Sequence, residues 1–168
     1  MSTHAPFNTD EPLAYFLTWT TYGTWLPGDN RGWRRKGEPE VQPPNAFLVE
    51  MARSRMKEKE FTLSHEHRRL VERTIRRHCE LRRWALHAIN ARTSHIHVVV
   101  TAVGYRPDPV RDQFKAWCTR ALKVAGAARS RFWTEGGRCD WIHDEAGLES
   151  VVTYVLEAQD RKGRDEAP

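Results

Sequence analysis

The stretch Ser94-His95-Ile96-His97-Val98-Val99-Val100 decides how the rest of the chain is read. Its β-branched residues predict a strand. Side chains along a strand alternate between faces, so His95 and His97 share one side while Ile96, Val98 and Val100 share the other. Two imidazoles on one rigid face can bind one metal ion. The same pattern also fits a half-buried strand whose histidines satisfy their neighbours.

Working outward, Trp84 to Asn90 reads as a strand, and the short polar turn Ala91-Arg92-Thr93-Ser94 makes it the hairpin partner of the histidine strand. Before it, Thr62-Leu63-Ser64 offers a helix cap, followed by a stripe of His67, Leu70, Val71, Thr74, Ile75, His78 and Cys79. The arginines Arg68, Arg69, Arg73, Arg76 and Arg77 fall off that stripe, as a solvated face. After it, a helix from about Asp108 to Ala125 aligns Val110, Phe114, Trp117, Cys118, Ala121, Leu122 and Ala125, with Arg111, Lys115, Arg120 and Lys123 off the stripe. Leu13 to Thr21 predicts a first strand and Cys139 to His143 a last one. The order predicts an α+β fold: a ferredoxin-like split βαβ with an antiparallel sheet, the histidine strand central, and an added C-terminal helix.

Between the first strand and the first long helix, residues 22–45 form a loop insertion whose glycines and Pro27 oppose regular structure. It carries Trp25 and Trp33 beside Arg31, Arg34, Arg35 and Lys36. Long loops in compact domains are often functional, and Trp with Arg suits stacking on unpaired bases and contacting phosphates. Folding of both indoles back over the core fits the composition equally. A short helix is expected from Ala46 to Lys59. The whole chain, 1–168, reads as one domain with an ordered core of about 13–162.

Twenty-seven Lys and Arg against 22 Asp and Glu give a formal charge of +5, and the sequence pI is near 9.4. This balance favours a polyanionic partner, with nucleic acid ahead of membrane because no basic amphipathic anchor is evident. With neither a long apolar run nor a signal-peptide layout, a cytoplasmic location is expected. Cys79, Cys118 and Cys139 are widely spaced and belong to no C-x-x-C pair, so they read as apolar fillers rather than a disulfide framework or zinc site.

Asp144-Glu145 opens a terminal helix expected to run to about Arg161. At 100° per residue, Leu148, Val152, Val155, Leu156 and Gln159 form a core stripe, and Tyr154 lies near the opposite side with Ser150, Glu157, Ala158 and Arg161. A structural tyrosine belongs on the apolar stripe; this one is displayed on the polar face, which makes it a candidate functional residue.

A His-hydrophobic-His strand followed about 55 to 60 residues later by a lone Tyr on a C-terminal helix resembles the single-tyrosine HUH transposases, which include the REP-associated tyrosine transposases and the insertion-sequence-200-like transposases. Tyr22-Gly23-Thr24-Trp25-Leu26, Phe132-Trp133-Thr134-Glu135-Gly136-Gly137 and Tyr154-Val155-Leu156-Glu157 extend the resemblance over roughly Tyr15 to Lys162. It implies an HUH endonuclease, a metal-dependent enzyme that cleaves single-stranded DNA, often with hairpin ends, and rejoins strands in DNA transposition and recombination. On that resemblance His95 and His97 are ligands of Mg²⁺ or Mn²⁺, and Tyr154 is the nucleophile that forms a 5′-phosphotyrosine intermediate. The family commonly places a third polar ligand four residues after the tyrosine, a position held here by Ala158; Glu157 takes that role in our reading, with Gln159 in reserve.

Trp25, Trp33, Arg34, Arg35, Lys115 and Lys123 are the candidate contacts to nucleic acid. The chain is expected to act as a monomer or a homodimer, with Tyr154 serving either its own or a partner's metal. Two rivals share the strand pattern. A histidine-triad nucleotide hydrolase wants a third His at the next same-face position, which is Val99. A non-catalytic single-stranded nucleic-acid-binding protein on the same fold wants strand-borne stacking aromatics, and the histidine strand offers none.

Overall fold

The His95–Thr101 strand (β3) lies inside a four-stranded antiparallel sheet in the structure, a computed structural model that describes residues 11–158. Its neighbours are Ala85–Ala91 (β2) and Ala14–Thr20 (β1), and Arg138–Ile142 (β4) pairs with the far edge of β1, giving the order β2-β3-β1-β4. Each strand falls within one residue of its expected bounds, because the β-branched runs and the turn at 92–94 leave little room for another register. Across the sheet, Asn90, His97, Thr18 and Arg138 stand in one row.

Alternation divides the sheet as expected. Tyr15, Leu17, Trp19, Ile96, Val98 and Val100 face one side, where His65–Arg82 (α2) and Pro107–Val124 (α3) cover them. The α2 start is fixed by Ser64, whose hydroxyl accepts the His67 N–H at 3.1 Å, and Pro107 opens α3 in a position that needs no N–H. Val71, Ile75 and Cys79 from α2 meet Val110, Phe114, Cys118 and Leu122 from α3. Each fully buried aliphatic or aromatic side chain of this cluster contributes roughly 1.5–3 kcal/mol. Two residues of α3 depart from the expected stripe. Trp117 is half-exposed, while Arg111 is buried among Asp108 at 2.8 Å, Asp112 at 3.0 Å and the Gly137 carbonyl at 3.2 Å. The flank of α3 faces the loop entering β4, so a cation there meets carbonyls rather than water.

The opposite sheet face has a smaller core of Ala14, Ala88, Val99, Ile142 and Val155, joined by Phe16, Leu148, Val151 and Val152. Over it lies Glu145–Thr153 (α4), whose Asp144 cap accepts the Gly147 N–H at 2.6 Å. The expected single α-helix to Arg161 is not what the described residues show: at Tyr154 the winding changes to a π turn, Tyr154–Ala158. Leu156, within the π turn and expected in the core, is half-exposed, while Val151, one turn earlier in α4, packs against the sheet.

Residues 22–45 hold no helix or strand, as expected, and fold as a chain of turns closed by a bridge between Trp33 and Gln42 and by the Asn45 N–H donating to the Gly28 carbonyl at 2.9 Å. Gly28, at φ 90°, is required there because a side chain would strike the Asn45 carbonyl. Asn45 then caps Ala46–Ser54 (α1), which is shorter than expected and buries no residue fully. Cys79 and Cys118 are the apolar fillers expected of them, and burial pushes the Cys79 thiol up to about 12. Among the described residues no helix is long and apolar enough to cross a membrane.

Candidate active site

His97 is almost fully buried, with its ring stacked on Phe16 at 5.6 Å and 22° and its Nδ1 3.1 Å from the Thr18 hydroxyl. His95 lies one pleat along, its ring centroid 4.7 Å from that of His97. Burial first, and then the nearby charges of His95 and Arg92, push the His97 pKa down to about 3. The imidazole is therefore neutral at physiological pH, the form that binds a metal ion.

Tyr154 opens the π turn and stands over this strand. Its ring centroid is 6.2 Å from His97 and 6.3 Å from Phe16, edge-on to both. Helical periodicity placed this side chain on the face away from the core; it instead leans onto the sheet at the rim of the smaller core. Val151 packs onto the sheet three residues earlier, and i, i+3 neighbours share a face, so Tyr154 follows it inward. The turn itself is tied to β2 by Asn90, whose side-chain amide donates to the Val155 carbonyl at 2.9 Å.

Because α4 covers only part of the sheet, a cleft of about 440 Å³ opens beyond it, lined by His95, His97, Tyr154, Arg92, Arg138 and Trp25 together with the loop 134–137. No family model matches the chain, and no curated protein matches it. The far wall is held by α3: the Lys115 ammonium donates to the carbonyls of Thr134 at 2.7 Å and Gly136 at 2.9 Å, and Arg111 donates to that of Gly137. Gly137 has φ 145°, and a side chain there would come within 2.6 Å of the Thr18 carbonyl, so this wall is built against β1 with no space between them.

The structure brings His95, His97, Tyr154 and Trp25 to one cleft, and Trp33 and Arg34 to an adjoining cavity, with Arg35 above the Trp33 ring at 5.9 Å. Lys115, expected to meet nucleic acid, is half-buried with its charge spent on the loop carbonyls, and burial lowers its pKa. Lys123 lies about two turns further along α3 and lines neither cavity. Glu157 is exposed on the π turn and is not part of the cleft lining, and Gln159 falls outside the described residues. Among the described residues no three His, Cys, Asp or Glu side chains form a metal-ligand group, so the metal-binding potential seen here is the His95 and His97 pair.

Sequence reasoning passed over Arg92, Arg138, Thr18 and Phe16. Thr18 and Phe16 were legible from alternation in β1 once its register with β3 is known, whereas the sequence carries no register signal between distant strands. Arg138, which pairs with Asp140 at 2.7 Å, sits on the same strand face as Ile142.

Proposed function

We propose that this chain is a metal-dependent enzyme of the single-tyrosine HUH kind, cleaving single-stranded DNA and transferring the strand through a 5′-phosphotyrosine. The single observation that carries this reading is the approach of Tyr154 to His97 across the cleft, with ring centroids 6.2 Å apart. Further support comes from the order β2-β3-β1-β4 with α2 and α3 on one face, as expected for a ferredoxin-like split βαβ with the histidine strand inside. Arg92 and Arg138 at the cleft suit a phosphate backbone.

The residues fit a divalent ion in part. His97 is kept neutral by burial and His95 is its same-face neighbour, which supplies two nitrogen donors. When bound there, Mg²⁺ or Mn²⁺ supplies Lewis acidity to the scissile phosphate and stabilises the charge that develops on its oxygens. Phe16 and Thr18 fix the His97 ring from behind and beside it. Asn90 holds the turn that carries the nucleophile.

In the reaction, Tyr154 Oη forms a bond to phosphorus and loses its proton to solvent as the P–O3′ bond breaks. The departing 3′ oxygen takes up a proton and leaves as a hydroxyl. The 5′ phosphate stays esterified to Tyr154, so a second 3′-hydroxyl can attack it, release the phenol and join two strands. A phenol is a weak nucleophile at neutral pH, which is why electrostatic help at the phosphate is needed.

The test incubates labelled single-stranded hairpin DNA with Mn²⁺ and the full chain, and scores a denaturation-resistant adduct. The wild type forms it and Tyr154→Phe does not, while both bind the strand alike. An adduct in the Phe variant overturns the assignment of the nucleophile. Strand binding by the wild type with no cleavage under any divalent ion leaves the non-catalytic binding protein as the reading.

A further inference from the structure

A second cavity, of about 430 Å³, adjoins the cleft and shares Trp25, Gly137 and Arg138 with it. Its remaining walls include Trp33, Arg34 and Val41 of the 22–45 loop. The volume falls in the range of roughly 300–1,000 Å³ usual for small-ligand sites.

Both indoles are fixed from within the loop. Trp25 Nε1 donates to the Gly32 carbonyl and Trp33 Nε1 to the Pro43 carbonyl, each at 2.8 Å. Arg31 stacks over Trp25 at 4.2 Å and is itself held by Asp29 at 2.6 and 2.8 Å and by the Thr24 carbonyl at 2.7 Å. The polar handles of this wall are thus used internally, and the aromatic surfaces are oriented before any ligand arrives. Preorganised walls of this kind save the ordering cost that a flexible loop would bear on binding. Of the three cations lining the cavity, Arg31 is paired with Asp29 and Arg138 with Asp140, and Arg34 is the one with no carboxylate partner among the described residues, which leaves the rim cationic at Arg34.

Flat aromatic walls under a cationic rim, opening beside a candidate phosphate site, suit one occupant: an unstacked nucleobase. We propose that this cavity takes a single base of the bound strand, extruded next to the phosphate that lies in the cleft. Arg138, common to both cavities, spans the step between phosphate and base, and Arg34 donates to acceptors on the base edge. The proposal rests on the single-strand reading above and makes this loop the part of the chain that senses position along the strand.

The experiment uses the full chain in chelator, so that no strand is cut, and short fluorescent single strands in which one abasic site is walked from end to end. One position is expected to lose roughly 5- to 150-fold in affinity, the range that one base–aromatic stack supplies, with the others nearly unchanged. Trp33→Ala removes that positional penalty. Val41→Trp, which fills the cavity from an exposed rim position and leaves both original indoles in place, removes it too. A wild type that binds strands with no position-dependent penalty overturns the base pocket and leaves the strand-transfer proposal standing. A penalty that survives in both variants overturns it as well, because the base is then held elsewhere. Failure to bind any single strand overturns both proposals.

Discussion

Asn90 stands directly opposite His97 in the β2–β3 pairing and shares its face of the sheet, where its side-chain amide donates to the Val155 carbonyl at 2.9 Å. One residue thus joins the histidine strand to the turn bearing Tyr154. Carbonyls in a π turn are displaced from regular helical pairing, and an amide from the sheet is a well-placed substitute. Asn90→Ala is expected to cost about 1 kcal/mol of stability, measured by urea denaturation. It should slow adduct formation on the order of tenfold or more at saturating DNA, since small misplacement of a nucleophile is expensive. An unchanged rate with the expected stability loss would reduce Asn90 to a scaffold role.

Tyr154 lies beside the histidines of its own chain, so cleavage is expected in cis. Mixing Tyr154→Phe with His97→Ala should give no more adduct than either alone. Recovery of adduct in the mixture would mean that two subunits exchange their terminal segments.

The acid stability of the metal-free chain should report His97. Its folded pKa, near 3, lies below the ordinary histidine value, so between about pH 6.5 and 3 the unfolded chain binds the extra proton. Stability is full above this window and falls as pH drops through it, by up to a few kcal/mol from this residue. His78 and His87, whose pKa values burial also lowers, add slopes of the same sign. His97→Gln should flatten the curve between pH 6.5 and 4 in denaturant titrations with chelator present; an unchanged slope would show that His97 titrates freely.

Gly137→Ala tests the far wall. Its positive φ disfavours a side chain, and an added methyl group would lie 2.6 Å from the Thr18 carbonyl oxygen and 2.9 Å from Arg111 Cδ. A loss of about 1–3 kcal/mol is expected, together with weakened strand binding, since the 134–137 wall must retreat from β1. Retention of both wild-type stability and affinity would show that the wall is not set by this contact.

Affinity for single strands should fall steeply with salt, since phosphate contacts release counterions. Arg138→Gln is expected to reduce the logarithmic salt slope by close to one contact, whereas Lys123→Gln leaves it unchanged. The reverse ranking would move the strand path from the cleft to the α3 surface.

Much of this was legible because local chemistry fixes it. The β3 run, the Ser64 cap and the α2 stripe each specify their element without help from the rest of the chain. What could not be read was set by contacts between distant segments. Arg111 was read only as a cation off the α3 stripe and Lys115 as a contact to nucleic acid, whereas the 134–137 carbonyls engage both. Tyr154 was singled out and is exposed as expected, but its lean toward Phe16 and His97 was missed, because Val151, i−3 from it, was not counted in the core stripe. The 22–45 loop was recognised by its glycines and tryptophans, and its folding by Trp33, Gln42 and Asn45 depends on pairings that composition does not encode.

Because β3 alternates His95 and His97 with Ile96, Val98 and Val100, one strand is at once the floor of the cleft and the centre of the larger core. Inserting or deleting a single residue in the 92–94 turn would exchange the two sets, sending imidazoles into the core and aliphatic side chains into the cleft. Loss of the cleft's histidine pair and loss of fold are therefore coupled for length changes at this turn, while a substitution at His95 would test the proposed chemistry and leave the fold intact. The proposed reaction is thus removable by point changes on the cleft face of β3 with the spacing of the strand preserved.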